Sequence, residues 1–204
     1  INNMKNKKYI LYISIFTLIY ILLIILFYSN NLYIIDNFIY NKIYFNDTLT
    51  NIFKIITYLG DWIFLVPLSI ILMILLKNKM KSIYIGLNLL TSFLINGTFK
   101  LILKRNRPID INLITESGYS FPSGHSMVSA SFYGLLIYLI YKSNYSKKTK
   151  IILITILIFL ILTIGFSRVY LGVHYITDVM AGYSLSIIYL MVYIKIIKLS
   201  KKEV

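Results

Sequence analysis

The sequence predicts an all-α, polytopic membrane protein: six transmembrane helices in one bundle, a single domain over residues 1–204. Three observations carry this. The chain is 58% hydrophobic with a mean hydropathy of +0.77. Only 14% of its residues are charged, fewer than a soluble domain of this length carries. Apolar runs close to membrane-span length alternate with short lysine-rich loops. There is no cysteine, which excludes disulfides and thiolate metal sites.

The first predicted span, 9–28, has a basic start and an apolar run, like a signal peptide. Ser29-Asn30-Asn31 follows it with no small-x-small cleavage site, so it reads as an anchor. Residues 32–55 mix Tyr, Phe, Ile and Asn with scattered charges and are too polar to span. They predict an amphipathic stretch at the outer interface, serving lipid entry or simply linking. Further spans are predicted at 59–76, 82–103, 125–141, 151–168 and 174–194, each near the ~20 residues that cross ~30 Å of hydrocarbon. The second and fourth spans are short unless flanking residues extend them. The 19 tyrosines fit interfacial belts. These patterns encode no oligomeric state.

Charge orients the bundle. Lys5, Lys7 and Lys8 precede span one; Lys77, Lys79 and Lys81 lie between spans two and three. Lys142, Lys147, Lys148 and Lys150 lie between spans four and five; Lys195, Lys198, Lys201 and Lys202 end the chain. Fourteen of the 21 basic residues thus share one side, with Glu203 as the one acid there. The positive-inside rule places both termini in the cytoplasm of a plasma-membrane protein. The net charge of +14 is then a topology signal and does not mark a nucleic-acid binder.

Three polar motifs fall on the opposite side. Span three carries Asn88, Thr91, Ser92, Asn96, Thr98 and Lys100, and such polarity in a membrane helix faces protein or water. Lys100 is followed after six residues by Arg107-Pro108, where proline stops the helix. A snorkelling cluster is the bland alternative, but outward cations run against the positive-inside bias. Pro122-Ser123-Gly124-His125 forms a turn into span four. Amide groups at that helix start would face an anion, Ser123 could donate its hydroxyl, and His125 would sit beside them. A plain helix cap is the alternative. Ser167-Arg168 ends span five, and His174 and Asp178 open span six at i, i+4 spacing. The carboxylate can accept the Nδ1 proton and leave Nε2 as a nucleophile; a merely structural pair is the alternative. Two histidines and one aspartate could also bind zinc, but the surrounding Lys and Arg would repel it, so no metal is expected. Topology brings all three motifs to one rim of the bundle, at the extracytoplasmic face. Fixed cations, two imidazoles and a carboxylate partner suit phosphate-ester chemistry, and the membrane setting makes the substrate a lipid phosphate.

Lys-x6-Arg-Pro, Pro-Ser-Gly-His and Ser-Arg-x5-His-x3-Asp, all intact between residues 100 and 178, resemble the three signatures of the type 2 phosphatidic acid phosphatase superfamily of membrane lipid phosphatases. The six-helix layout extends the resemblance over most of the chain, and the small bacterial phosphatidylglycerophosphate phosphatase B type is the most similar group. The resemblance implies that Lys100, Arg107 and Arg168 clamp the phosphate oxygens, with hydrogen bonds from Ser123 and the Gly124 amide. It implies that His174 attacks phosphorus to give a phosphohistidine while Asp178 orients it. His125 protonates the leaving group and then activates water. Ser167 belongs to the signature and is expected on the phosphate. No cofactor or metal is implied. Expected substrates are phosphatidylglycerophosphate, phosphatidic acid and undecaprenyl diphosphate. Dedicated undecaprenyl diphosphate phosphatases of this superfamily often carry Asp at the position of Gly124, which favours the generalist group over that alternative. Vanadate-dependent haloperoxidases share the anion cradle but are soluble. A lipid-phosphate sensor would not need both histidines, and a transporter would show broken helices or repeats, which the sequence lacks.

Overall fold

The computed structural model describes residues 2–43, 45–76, 78–109 and 113–200. Lys77, Lys201, Lys202 and Glu203, used above in the charge pattern, lie outside the described residues. Within them the chain forms eight helices: α1 (Asn2–Tyr28), α2 (Leu32–Tyr40), α3 (Asp47–Tyr58), α4 (Trp62–Leu75), α5 (Lys79–Leu103), α6 (Gly124–Tyr141), α7 (Lys147–Tyr170) and α8 (Ile176–Ser200). Side-chain caps mark the helix starts. Asn46 accepts from Thr48 N at 2.8 Å, Asp61 from Ile63 N at 2.9 Å, Asn78 from Lys81 N at 3.1 Å and Ser146 from Thr149 N at 3.2 Å. Lys104 closes α5 in the left-handed conformation, φ 49°.

Helix α6 is the axis of the bundle. It packs against α5, α7 and α8, while α1 lies on α8, α4 on α5 and α3 on α7. Its residues enter two apolar clusters. Met127 joins Tyr20, Leu23, Phe121 and Leu185 on one side; Val128, Phe132 and Leu135 join Leu65, Ile85, Leu89 and Ile164 on the other. Small residues let the neighbours close in. Ser131 and Ser186 hydroxyls meet at 3.0 Å, and a Cβ on Gly134 would lie 2.5 Å from Leu190 Cδ1. The outer faces stay apolar, with Leu18, Ile25, Ile74, Leu101, Phe159 and Leu162 exposed, as a lipid-facing surface requires.

Four helices among the described residues are long and apolar enough to cross a membrane: α1, α5, α7 and α8. A fifth crossing arises if α3 and α4, bent by 45° at residues 59–61, act as one span. The expected span 59–76 is therefore shorter than the sequence implied. Its helix α4 has 14 residues, about 21 Å long, and α3 extends it. Over the expected span 125–141 the chain forms α6, which is not among these candidate crossings, and its neighbours bury Ser126 to Tyr133. Residues 32–55 are not a bare linker: they form α2 and the greater part of α3, and α2 packs against α8.

Candidate active site

At the end of the bundle where α5 stops and α6 starts, a cavity of about 330 Å³ opens. Lys100, Arg107, Gly124, His125 and His174 line it, with Gly60, Trp62, Phe93, Asn96 and Glu116. Five of the nine residues singled out by the sequence thus share one wall. Arg168, Asp178, Ser123 and Ser167 stand behind it.

The turn after α7 places His174. Gly172 takes φ +73°, a conformation open to glycine, and folds the chain back so that Val173 N and His174 N both donate to Arg168 O at 3.2 Å. Tyr170, Leu171 and Val173 are buried beneath Ile43, Phe45, Phe53, Leu113 and Ile114, which hold the turn rigid. His174 therefore lies on the loop before α8, not on the helix as the i, i+4 reading assumed. Asp178 is in the first turn of α8, and its Oδ2 accepts from Tyr175 N at 2.9 Å, closing the helix start. The same oxygen lies 3.4 Å from His174 Nδ1 and accepts a short hydrogen bond from Ser120 Oγ, which is itself 3.3 Å from Nδ1. Nε2 points the other way, 3.0 Å from Arg107 Nη1. Burial, then the charges of Lys100, Arg168 and Arg107, hold the His174 imidazole well below its ordinary pKa, so it is neutral at pH 7.

The cations are fixed by backbone and acid partners. Lys100 Nζ donates to Tyr119 O, closely, and lies 3.4 Å from Ser120 O. Arg107 donates through Nε to Gly118 O at 3.0 Å and through Nη1 to Val173 O at 2.8 Å. Arg168 is buried; it donates to Thr57 Oγ1 at 2.7 Å and to Glu116, and its Nε has no partner among the described residues. Glu116 also lies 3.8 Å from Arg107. Burial works to raise the Glu116 carboxyl, but Arg168, with His125 and Arg107, holds it below the usual range.

Ser123 caps α6 through Ser126 N at 3.4 Å, and its own N–H donates to Asp178 O at 3.0 Å, joining the two halves of the site. Gly124 packs closely: a Cβ there would lie 3.1 Å from Asn96 Oδ1. Ser167 departs from expectation. Its hydroxyl donates to Ile164 O at 2.6 Å within α7, and it does not line the cavity.

Sequence reasoning missed a second layer. Arg105 bridges two fully buried carboxylates, Asp178 at 2.6 Å and Asp36 at 2.5 Å, and stacks over Tyr175 at 4.1 Å. Asp36, delivered by α2, also accepts from Thr177 N at 3.1 Å. Asp61, at the α3–α4 corner, lies 3.4 Å from His125 Nε2. The available signal was rarity: only seven acids occur in this chain, and an acid in such an apolar setting is functional by default. Among the described residues no group of three or more His, Cys, Asp or Glu side chains could hold a metal ion.

A profile of the PAP2 superfamily matches residues 81–202. The chain belongs to the PAP2 superfamily. It is a membrane lipid phosphatase of a metal-independent phosphomonoesterase family. Phosphatidylglycerophosphatase B of Bacillus subtilis (strain 168) is 37% identical over 148 residues, 70% of each protein. Dolichyldiphosphatase 1 of Dictyostelium discoideum is 31% identical over 121 residues, 57% of this chain and 52% of that protein. The crystal structure of the first transmembrane PAP2 type phosphatidylglycerolphosphate phosphatase from Bacillus subtilis superposes with a TM-score of 0.82 at 30% identity. That match covers 94% of this chain and 96% of the other, so the PAP2 membrane fold extends well beyond the matched motifs.

Proposed function

We propose that this PAP2 enzyme dephosphorylates lipid phosphates at the outer leaflet through a phosphohistidine intermediate. The observation that carries the reading is the orientation of His174. Its Nδ1 is turned to Asp178 and Ser120, and its Nε2 faces the cavity that Arg107, Lys100 and His125 also line. Lys100, Arg107 and Arg168 hold the phosphate oxygens, and the unpartnered Arg168 Nε offers a further donor. Ser123 and the Gly124 amide hold the start of α6 toward the anion, while the Ser167 hydroxyl is spent on Ile164 O within α7.

Neutral His174 attacks phosphorus through Nε2. The ester P–O bond breaks as His125 gives its proton to the leaving oxygen, and Asp178 stabilises the charge that develops on the ring. His125 then takes a proton from water, the resulting hydroxide attacks phosphorus, and the P–N bond breaks to release inorganic phosphate.

An apolar groove of about 490 Å³ runs on from the cavity between α4 and α5. It is lined by Val66, Leu89 and Leu90 and shares Trp62, Phe93 and Val128 with the cavity. A lipid tail fits there while its phosphate meets the cations. Phosphatidylglycerophosphate is the leading substrate, supported by the Bacillus subtilis similarity in sequence and in structure, with phosphatidic acid beside it. Undecaprenyl diphosphate is the alternative, supported by the similarity to a dolichyldiphosphatase. The six-span topology, with α6 and the bent α3–α4 pair as crossings and both termini cytoplasmic, rests on the lysine distribution.

The test is phosphate release in EDTA from phosphatidylglycerophosphate, phosphatidic acid, undecaprenyl diphosphate and a soluble phosphate ester. Turnover of lipid substrates that His174→Ala abolishes is the expected result. Equal turnover by His174→Ala would overturn the nucleophile, and loss in EDTA restored by zinc would revive metal chemistry. A preference for the soluble ester would remove the groove's role.

A further inference from the structure

The profile match begins at residue 81, yet several side chains directed at the site come from before it, Asp61 among them. The corner between α3 and α4 is tied to the active site at three points. Thr57 Oγ1 accepts from Arg168 Nη1 at 2.7 Å. Leu59 O accepts from Tyr133 Oη at 2.7 Å. Asp61 Oδ2 lies 3.4 Å from His125 Nε2. Gly60 lets the corner approach this closely: a Cβ there would lie 2.5 Å from Ile164 Cγ2 and 3.5 Å from His125 Cδ2. Asp61 is itself held, because its Oδ1 caps α4 by accepting from Ile63 N at 2.9 Å. One carboxylate oxygen is fixed by the backbone and the other is aimed at the imidazole.

We propose that Asp61 is the positioning residue of His125, giving the site a second Asp–His pair beside Asp178–His174. The proposal rests on the phosphohistidine reading above. Among the described residues, Asp61 is the one carboxylate within 4.0 Å of a His125 ring nitrogen. Glu116, the other acid near that ring, is engaged by Arg168 and Arg107. An Nε2–H donating to Asp61 leaves Nδ1 as the nitrogen that exchanges protons in the cavity. In the first half-reaction Nδ1–H goes to the leaving oxygen as the P–O bond breaks. In the second, Nδ1 takes the proton of the attacking water. Asp61 keeps its negative charge throughout and steadies the imidazolium that gives its Nδ1 proton in the first step and is restored in the second, as a buried carboxylate does for a catalytic histidine elsewhere. This also gives the corner a purpose: bending the α3–α4 pair puts a carboxylate at the rim where a straight helix would present only side chains facing its neighbours.

Asp61→Asn is the discriminating variant. Asparagine is as good a helix cap as aspartate, so α4 keeps its start. Its amide NH₂ would now face Nε2, which must accept rather than donate, and the proton moves to Nδ1. The wrong tautomer impairs proton transfer without removing the ring. For phosphatidic acid, whose alkoxide leaving group needs protonation, kcat/KM should fall on the order of 10²–10⁴-fold. For p-nitrophenyl phosphate, whose leaving group departs unprotonated, kcat/KM should change by less than about tenfold. An equal loss on both substrates would make the corner merely structural, and no loss on either would remove Asp61 from the reaction. A second measurement does not depend on turnover. His125 and His174 are the only two histidines, so ¹⁵N-histidine NMR of His174→Ala reads the His125 ring alone. An Nε2–H pattern that shifts to Nδ1–H on adding Asp61→Asn is expected, and an unchanged pattern would overturn the pairing. If wild-type protein hydrolyses no phosphate ester, the phosphohistidine reading fails, and the NMR result still decides whether Asp61 sets the His125 tautomer.

Discussion

Replacing Arg105 by methionine removes a guanidinium but keeps an apolar stem of similar length over Tyr175. In the folded protein that guanidinium lies 2.6 Å from Asp178 and 2.5 Å from Asp36, both carboxylates fully buried, and 2.8 Å from Thr177 Oγ1. Two opposing effects bear on Arg105. Burial disfavours its charge, but Asp178 and Asp36 together hold its pKa above the ordinary value, so it is fully charged. Deleting it strands two buried anions. Breaking a buried pair by removing one partner costs about 3–5 kcal/mol. The cost stays near that range rather than doubling, because Asp36 has an escape. Burial already pushes its carboxyl up against the pull of Arg105, and removing the arginine pushes it further up, toward the protonated form. For a chain of this size each kcal/mol lowers Tm by roughly 2–4 °C. Arg105→Met should therefore unfold well below wild type in detergent and lose lipid turnover. Adding Asp36→Asn should recover about 0.5–3 kcal/mol of stability, since one stranded charge is gone, but little turnover, since Asp178 remains unsupported. Wild-type stability and turnover in Arg105→Met would refute the bridging role. Strictly additive losses in the double variant would show that Asp36 and Arg105 act independently.

Glu116 gives a pH-dependent contrast. Its folded pKa is held below the ordinary carboxyl value, so its contribution is complete above about pH 4.3 and is lost as pH falls through the lower folded value. The Tm advantage of wild type over Glu116→Gln should hold from pH 7 to about 5 and shrink below about pH 4. A pH-independent gap would mean that the carboxylate–arginine pair contributes nothing. Orientation is checked by placing single cysteines in this cysteine-free chain. An impermeant thiol reagent added to intact cells should label Ile109→Cys, whose side chain is exposed, but not Asn144→Cys. The reverse labelling would invert the topology.

Much of the molecule was legible in the chain because two signals act locally. Apolar runs of span length must satisfy their backbone internally, so they become helices whatever surrounds them. The motifs could be read because each clusters its chemistry within twelve residues, and alternation of spans then brings their ends to one rim. That reasoning brings the three motifs to one rim, and Lys100, Arg107, Gly124, His125 and His174 line a cavity there. It failed where local pattern and environment diverge. Helix α6 reads in sequence like the other spans, yet neighbouring helices bury its first half. The i, i+4 rule brought His174 and Asp178 together for the wrong reason: a glycine turn holds the histidine outside the helix.

Sequence alone determined the class of chemistry and the membrane setting, since residue types, spacing and hydrophobicity are properties of short segments. Asp178 could be read from its motif, but only the tertiary structure brought Asp36 and Asp61 to the site. Asp36 and Asp61 lie 142 and 64 residues from the groups they meet, Asp178 by way of Arg105 and His125. No local periodicity records such a pairing. It arises when helix packing closes a long loop and the low dielectric of the interior makes each buried charge find a partner.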